Sequence, residues 1–155
     1  MPDKLIGVTV AANEVHVVLL TKNATQDFTL DDETTMNLQD GDRPAAYNTI
    51  HGQFSDYVRQ HRAKYVCIKG SAVSMGGTKM AHLHAAELRG VVQAAASSAG
   101  AEIRIMTKAN ASRNFGTRKV DEYLKDSTFW KNIGLPNLKK GQREAAFSAI
   151  SEFPD

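Results

Sequence analysis

The chain has 155 residues, 42% hydrophobic and 23% charged, with a net charge of +2: one domain's length, with enough apolar content for a core. No apolar run approaches the roughly 20 residues needed to span a bilayer, and Met1-Pro-Asp-Lys4 lacks a basic-then-apolar leader pattern, so no membrane association is expected. Cys67 is the sole cysteine, which excludes an intrachain disulfide and a cysteine zinc cluster and makes a cytoplasmic protein the simplest expectation.

In chain order, Leu5–Val10 and Glu14–Thr21 are β-branched and apolar, with Ala11-Ala-Asn13 between them, and read as a hairpin. Phe28 and Leu30 alternate with polar neighbours and suggest a third strand over Gln26–Leu30. The acidic run Asp31-Asp-Glu33 then reads as a solvated loop, and Met36–Leu38 as an edge strand. Asp42 is placed to cap a helix with Pro44 in its first turn, and Tyr47, Ile50, Phe54, Tyr57 and Val58 follow helical spacing. Lys64–Ile68 is a short buried strand, with Lys69-Gly70 at its carboxyl edge. Gly70, Gly76 and Gly77 mark a loop.

A long helix is expected over Thr78–Ser98, with Met80, Leu83, Leu88, Val91, Val92 and Ala95 as its apolar stripe. Ala81, Ala85, Ala86, Gly90 and Ala94 form a second, small-residue face, and Gly90 in mid-helix implies a close packing contact. The same helix of a second subunit is the expected partner, giving a homodimer. Gly100 stops the helix, and Ile103 and Ile105 belong to a fifth strand. Thr107 caps a short helix ending before Gly116, and Val120, Tyr123 and Leu124 lie on another. Gly134-Leu-Pro136 is a loop, and Lys140–Phe153 a last helix with Ala146, Phe147 and Ile150 inward. The order β-β-β-α-β-α-β-α-α suits an antiparallel meander extended by two parallel strands.

Charge is unevenly placed. Residues 1–60 hold 4 Lys/Arg against 9 Asp/Glu, whereas residues 61–155 hold 15 against 8. A basic second half is compatible with an anionic partner such as nucleic acid. The segment Lys108–Arg143 concentrates it, with Lys108, Arg113, Arg118, Lys119, Lys125, Lys131, Lys139, Lys140 and Arg143; all of these but Lys125 and Lys131 are candidate phosphate ligands, as are Lys69 and Lys79. Phe115, Tyr123, Phe129 and Trp130 are interleaved and read as core or cover residues rather than base-stacking platforms. Gly70-Ser-Ala-Val-Ser-Met-Gly-Gly-Thr-Lys79 has the strand–loop–helix order of a phosphate loop but not its spacing. His82 and His84, two apart on a helix, cannot share a metal ion as i, i+4 residues do, and His16, His51 and His61 are scattered. No metal site or cofactor is expected.

The order and spacing of several segments together resemble the RuvC-type branch of the RNase H-like fold. They are IGVTVAANEVHVVLL, YVCIKG, AAELRGVVQAAASSAG, IRIMTKANASRNFG and GQREAAFSAI. The N-terminal segment also resembles a group of short bacterial RuvC-like proteins. The resemblance implies one α/β domain over residues 1–155, a mixed five-stranded sheet with three antiparallel and two parallel strands, flanked by helices. It also implies where a nuclease would hold its carboxylates. There the chain has Thr9, Lys69, Gly141 and Glu144, so one acid of four remains. Cleavage in this fold uses two divalent ions held by carboxylates, and a central lysine repels such ions while attracting phosphate.

Three functions are therefore open: a catalytically inactive RuvC-like protein that binds structured nucleic acid, a homodimeric interaction scaffold, and a nuclease with a displaced acidic centre of Glu14, Glu87 and Glu144.

Overall fold

The computed structural model describes residues 3–25, 27–70 and 79–153. The predicted loop glycines Gly76 and Gly77, most of the phosphate-loop-like segment, the helix start at Thr78 and the strand start at Gln26 lie outside those residues. The elements are β1 (Lys4–Val10), β2 (Glu14–Lys22), β3 (Phe28–Asn37), α1 (Arg43–His61), β4 (Tyr65–Lys69) and α2 (Met80–Ser98). They continue with β5 (Glu102–Met106), α3 (Lys108–Asn114), α4 (Val120–Lys125), α5 (Ser127–Asn132) and α6 (Lys140–Ile150).

The sheet order is β3-β2-β1-β4-β5, with β1, β2 and β3 antiparallel and β4 and β5 added parallel. This is the predicted mixed five-stranded sheet. Its central strands are covered on both faces, which is why they read as nearly continuous apolar runs. Side chains alternate between the two layers. Ile6, Val8, Val66 and Ile68 pack with Ile50, Phe54, Leu88 and Val92 under α1 and α2. Leu5 and Cys67 face the other way, toward Trp130, Ala146, Phe147 and Ile150 of α5 and α6. Burial pushes the Cys67 thiol up to about 12, so it is an inert core residue.

Gly7 lies in this second layer and sets its geometry. A side chain there would run into the backbone of Ala145, whose carbonyl carbon is 2.8 Å from where a Cβ would stand. Helix α6 therefore rests directly on β1. Phe115, Tyr123, Phe129, Trp130 and Phe147 form a ring cluster beneath it. The Trp130 indole N–H donates to the Tyr123 carbonyl at 2.9 Å. These aromatics are cover and core residues, as their interleaving with apolar positions suggests.

Several expectations need correction. The acidic run is not a loop: β3 is continuous through it, and a bulge leaves Asp31 unpaired where Leu19 opposes Asp32 and Leu20 opposes Leu30. An edge strand can carry such charges because one side faces solvent. Two of the three also find partners: Asp31 accepts from Lys4 and Thr21, and Asp32 accepts from the Tyr57 hydroxyl at 2.8 Å. Asp42 is at the N-cap position of α1 but makes no side-chain capping bond.

In α2 only Leu88, Val92, Ala95 and Ala96 are buried. Met80 is 65% and Leu83 49% exposed, so the first turns lie outside the helix–sheet contact. Among the described residues nothing lies within 4 Å of a Cβ at Gly90, so the close contact expected of it is not made by them. Among the described residues four helices follow β5, and α6 ends at Ile150 rather than Phe153. The unforeseen α5 is started by Asp126, whose carboxylate accepts from the Thr128 and Phe129 amides; an acid before Ser-Thr was the available signal. No helix of the described residues is long and apolar enough to cross a membrane.

Candidate functional site

Residue parity brings the site together. Thr9 shares a face with Leu5 and Gly7, and Lys69 shares one with Cys67, so both stand on the α6 side of the sheet at neighbouring strand ends. Helix α6 begins across them, carrying Gly141 and Glu144. An open cleft of about 750 Å³ results, and Thr9, Lys69, Gly141 and Glu144 all line it. The four positions that the resemblance selected therefore meet in one place. His16, Arg89, Thr107 and Lys108 complete the polar lining.

The cleft's centre is an ion pair. Lys69 Nζ is 3.6 Å from Glu144 Oε2, and each side chain is about a third exposed (32% and 30%). Arg89, from α2, donates its Nε–H to the Lys69 carbonyl at 3.1 Å. Burial lowers the Arg89 guanidinium from its ordinary value, though arginine remains charged. On the other rim Lys108 Nζ is 3.0 Å from Asp121. That bond, with smaller contributions from Lys125 and Lys69, holds the Asp121 carboxyl below its ordinary value. His16 bonds Glu14 through Nε2 and Thr35 through Nδ1. Lysine, arginine and lysine thus face one carboxylate in the cleft, a net positive site in a concave wall.

The fit to a pair of divalent cations is poor. Magnesium takes oxygen ligands in near-octahedral geometry, usually including carboxylates. The positions here offer a threonine hydroxyl, a lysine ammonium, a glycine and one carboxylate already paired with that lysine. Nor does a displaced acidic centre assemble. Glu14 pairs with His16, Glu87 accepts from the Tyr47 hydroxyl, and Glu144 pairs with Lys69. Among the described residues no three His, Cys, Asp or Glu side chains are grouped to hold a metal ion.

The predicted basic residues do not act as one cluster. Lys69 and Lys108 line the cleft; Lys140 and Arg143 line an adjoining hollow. Arg143, a candidate phosphate ligand from the sequence, is engaged by backbone instead of lining the cleft. Its Nε and Nη1 donate to the Leu138 and Leu124 carbonyls at 3.1 and 3.0 Å, and it lies over the Trp130 ring. Arg143 fastens the start of α6 to the end of α4, and Glu144 occupies the centre instead. Arg118 pairs with Asp126 and covers Tyr123, while Arg113 donates to Asn110. Lys119 and Lys139 precede α4 and α6, where their amides are bonded by Glu122 and Gln142. Lys79 is exposed just before α2 and is not among the cleft's lining residues.

Arg89 and His16 were not foreseen as site residues. A signal existed for Arg89: it is a lone charge between Leu88 and Val91-Val92, on the buried side of an alanine-rich helix.

No known family model and no curated protein matches the sequence. Solved structures do match in shape. Thermus thermophilus RuvC in complex with Holliday junction substrate is 10% identical, with 96% of this chain and 91% of that one covered at a TM-score of 0.73. A second T. thermophilus RuvC structure is 11% identical, with coverages of 94% and 92% and the same score. The yeast mitochondrial Holliday junction resolvase Ydc2 is 7% identical, with coverages of 96% and 75% and a TM-score of 0.59. The chain therefore has the RuvC-like, RNase H-like fold.

Proposed function

We propose that this RuvC-like chain binds the phosphate backbone of structured nucleic acid in the cleft and does not cleave it by two-metal chemistry. The observation that carries the reading is the Lys69–Glu144 pair, standing where Thr9 and Gly141 also meet. A metal-mediated phosphate site in which a lysine stands at one of the ligand positions, and only one carboxylate remains, can take the phosphate directly. Lysine supplies a point charge, and the Arg89 guanidinium a planar set of donors.

Base readout has little support. None of the chain's aromatic side chains is fully exposed, so no ready platform for stacking unpaired bases is present. Contacts confined to phosphate carry no sequence information. Because a T. thermophilus protein of this fold was solved with a Holliday junction, a four-way junction is the first probe.

In fluorescence anisotropy, junction and duplex of unrelated sequence are expected to bind equally well, and single strands no better. With Lys69, Arg89 and Lys108 each neutralising a phosphate, log K should fall with log salt at a slope of about −2.7 or steeper, or roughly 40-fold for a fourfold rise in salt. No binding at low salt would leave the scaffold reading in its place.

One observation favours a homodimer as well. Met80, Leu83, Ala81, Ala86, Gly90 and Ala94 of α2 are exposed, so the small-residue face has no partner among the described residues. Sedimentation at micromolar concentration should then give a dimer, and a monomer would remove this reading without touching the first.

A further inference from the structure

Beside the cleft lies a second hollow of about 540 Å³, lined by Lys108, Lys125, Lys140 and Arg143 with Asp121 and Glu144. Lys108 and Glu144 belong to both, so the two hollows share a wall. We infer that this hollow is a second anion subsite, in which Lys125 and Lys140 take a phosphate of the same polynucleotide strand whose neighbour lies at Lys69. The inference rests on the proposed function and narrows it: the ligand is a chain of phosphodiesters, not a free phosphate or a mononucleotide.

Three observations support it. First, the charges do not cancel: four cations face two carboxylates in the second hollow. Lys108 is already paired with Asp121, and Arg143 is engaged by the carbonyls of Leu124 and Leu138. Lys125 and Lys140 form no ion pair with any described residue, and both are exposed. Second, the potential is registered by a group already in place. The Asp121 carboxyl is lowered chiefly by Lys108 and further by Lys125 and Lys69, cations from both hollows. Third, the shared wall carries an acid. Glu144 lines both hollows and disfavours an anion beside it, which leaves one place for an anion at the cations of each hollow.

Lys125 belongs to the basic segment read from the sequence but not to its candidate phosphate ligands; the second hollow gives it that role. Lys125 closes α4, where a cation also complements the helix dipole. Lys140 opens α6, where a cation opposes the dipole, so helix stability does not account for it.

The test compares salt dependence of duplex binding in wild type, Lys69→Gln, and the double variant Lys125→Gln/Lys140→Gln. Both lysines are exposed, and unchanged thermal melting confirms an intact fold. Five phosphate contacts give a wild-type slope of about −4.5, and removing two brings it to about −2.7. Inorganic phosphate should compete only weakly, since it fills one subsite at a time. A double variant with the wild-type slope, while Lys69→Gln is shallower, would overturn the second subsite and leave the cleft standing. Absence of salt-dependent binding in wild type would instead overturn the proposed function itself.

Discussion

Lys69→Glu is expected to weaken nucleic-acid binding more than any other single charge change, and by the same factor for every sequence. The substitution removes the central cation and sets a second carboxylate beside Glu144, whose Oε2 is 3.6 Å from the present ammonium. At about 4 Å two unit charges near a protein surface interact by up to ~4 kcal/mol. The pair is about a third exposed, so solvent and salt reduce that to roughly a third to two-thirds. A loss of about 1.4–2.8 kcal/mol remains, corresponding to roughly 10- to 100-fold in affinity. Anisotropy with two duplexes of unrelated sequence measures it. Equal losses on both identify a phosphate contact; a loss on one alone would assign Lys69 to base recognition. Unchanged affinity would return it to the role of a solvated strand end.

The largest effect on stability is expected from Gly7→Ala. The added methyl would meet the Ala145 backbone and lie 3.3 Å from Val18 Cγ2. A backbone carbonyl cannot rotate away as a side chain can, so α6 must lift from β1 or the strand must buckle. Overpacking of this kind costs about 3 kcal/mol or more, a fall in Tm of roughly 6–12 °C for a chain of this size. Gly52→Ala in α1 is the control. Nothing lies within 4 Å of its Cβ position, and the change should raise stability by about 1 kcal/mol. The effect of Gly7→Ala extends to function, because the same helix carries Gly141 and Glu144 to Thr9. Folded Gly7→Ala protein should therefore bind more weakly than Gly52→Ala. Equal melting temperatures for the two variants would contradict the direct seating of α6 on β1.

Much of this arrangement was legible in the chain because burial leaves a pattern. β1, β2 and β4 are covered on both faces, and their apolar runs identified them. Thr107 announced α3 by its type and place, and its hydroxyl does accept from Asn110. The positions Thr9, Lys69, Gly141 and Glu144 were selected by the order and spacing of weak motifs, and they line one cleft.

What was not legible depends on contacts between distant residues. The acidic run of β3 looks like a loop because an edge strand has little buried face to impose alternation; its partners, Lys4 and Tyr57, come from elsewhere in the chain. Arg143 shows its charge in the sequence, but its acceptors are backbone carbonyls that only the packed helices bring together. Met80 and Leu83 fit the helical period of α2, yet periodicity does not say where the covering surface stops.

The proposed site holds a phosphate on Lys69 where a nuclease of this fold would hold metal ions. Incubation of a labelled four-way junction with the protein, in chelator and in magnesium or manganese, tests it most directly. Binding and strand integrity are read from the same sample, for wild type and for Glu144→Gln. The same complex is expected with and without metal, and no scission in either. Glu144→Gln should bind more tightly, because Lys69 then loses its internal counter-ion. Metal-dependent cleavage by wild type that disappears in Glu144→Gln would contradict the proposed site and make Glu144 part of a working catalytic centre.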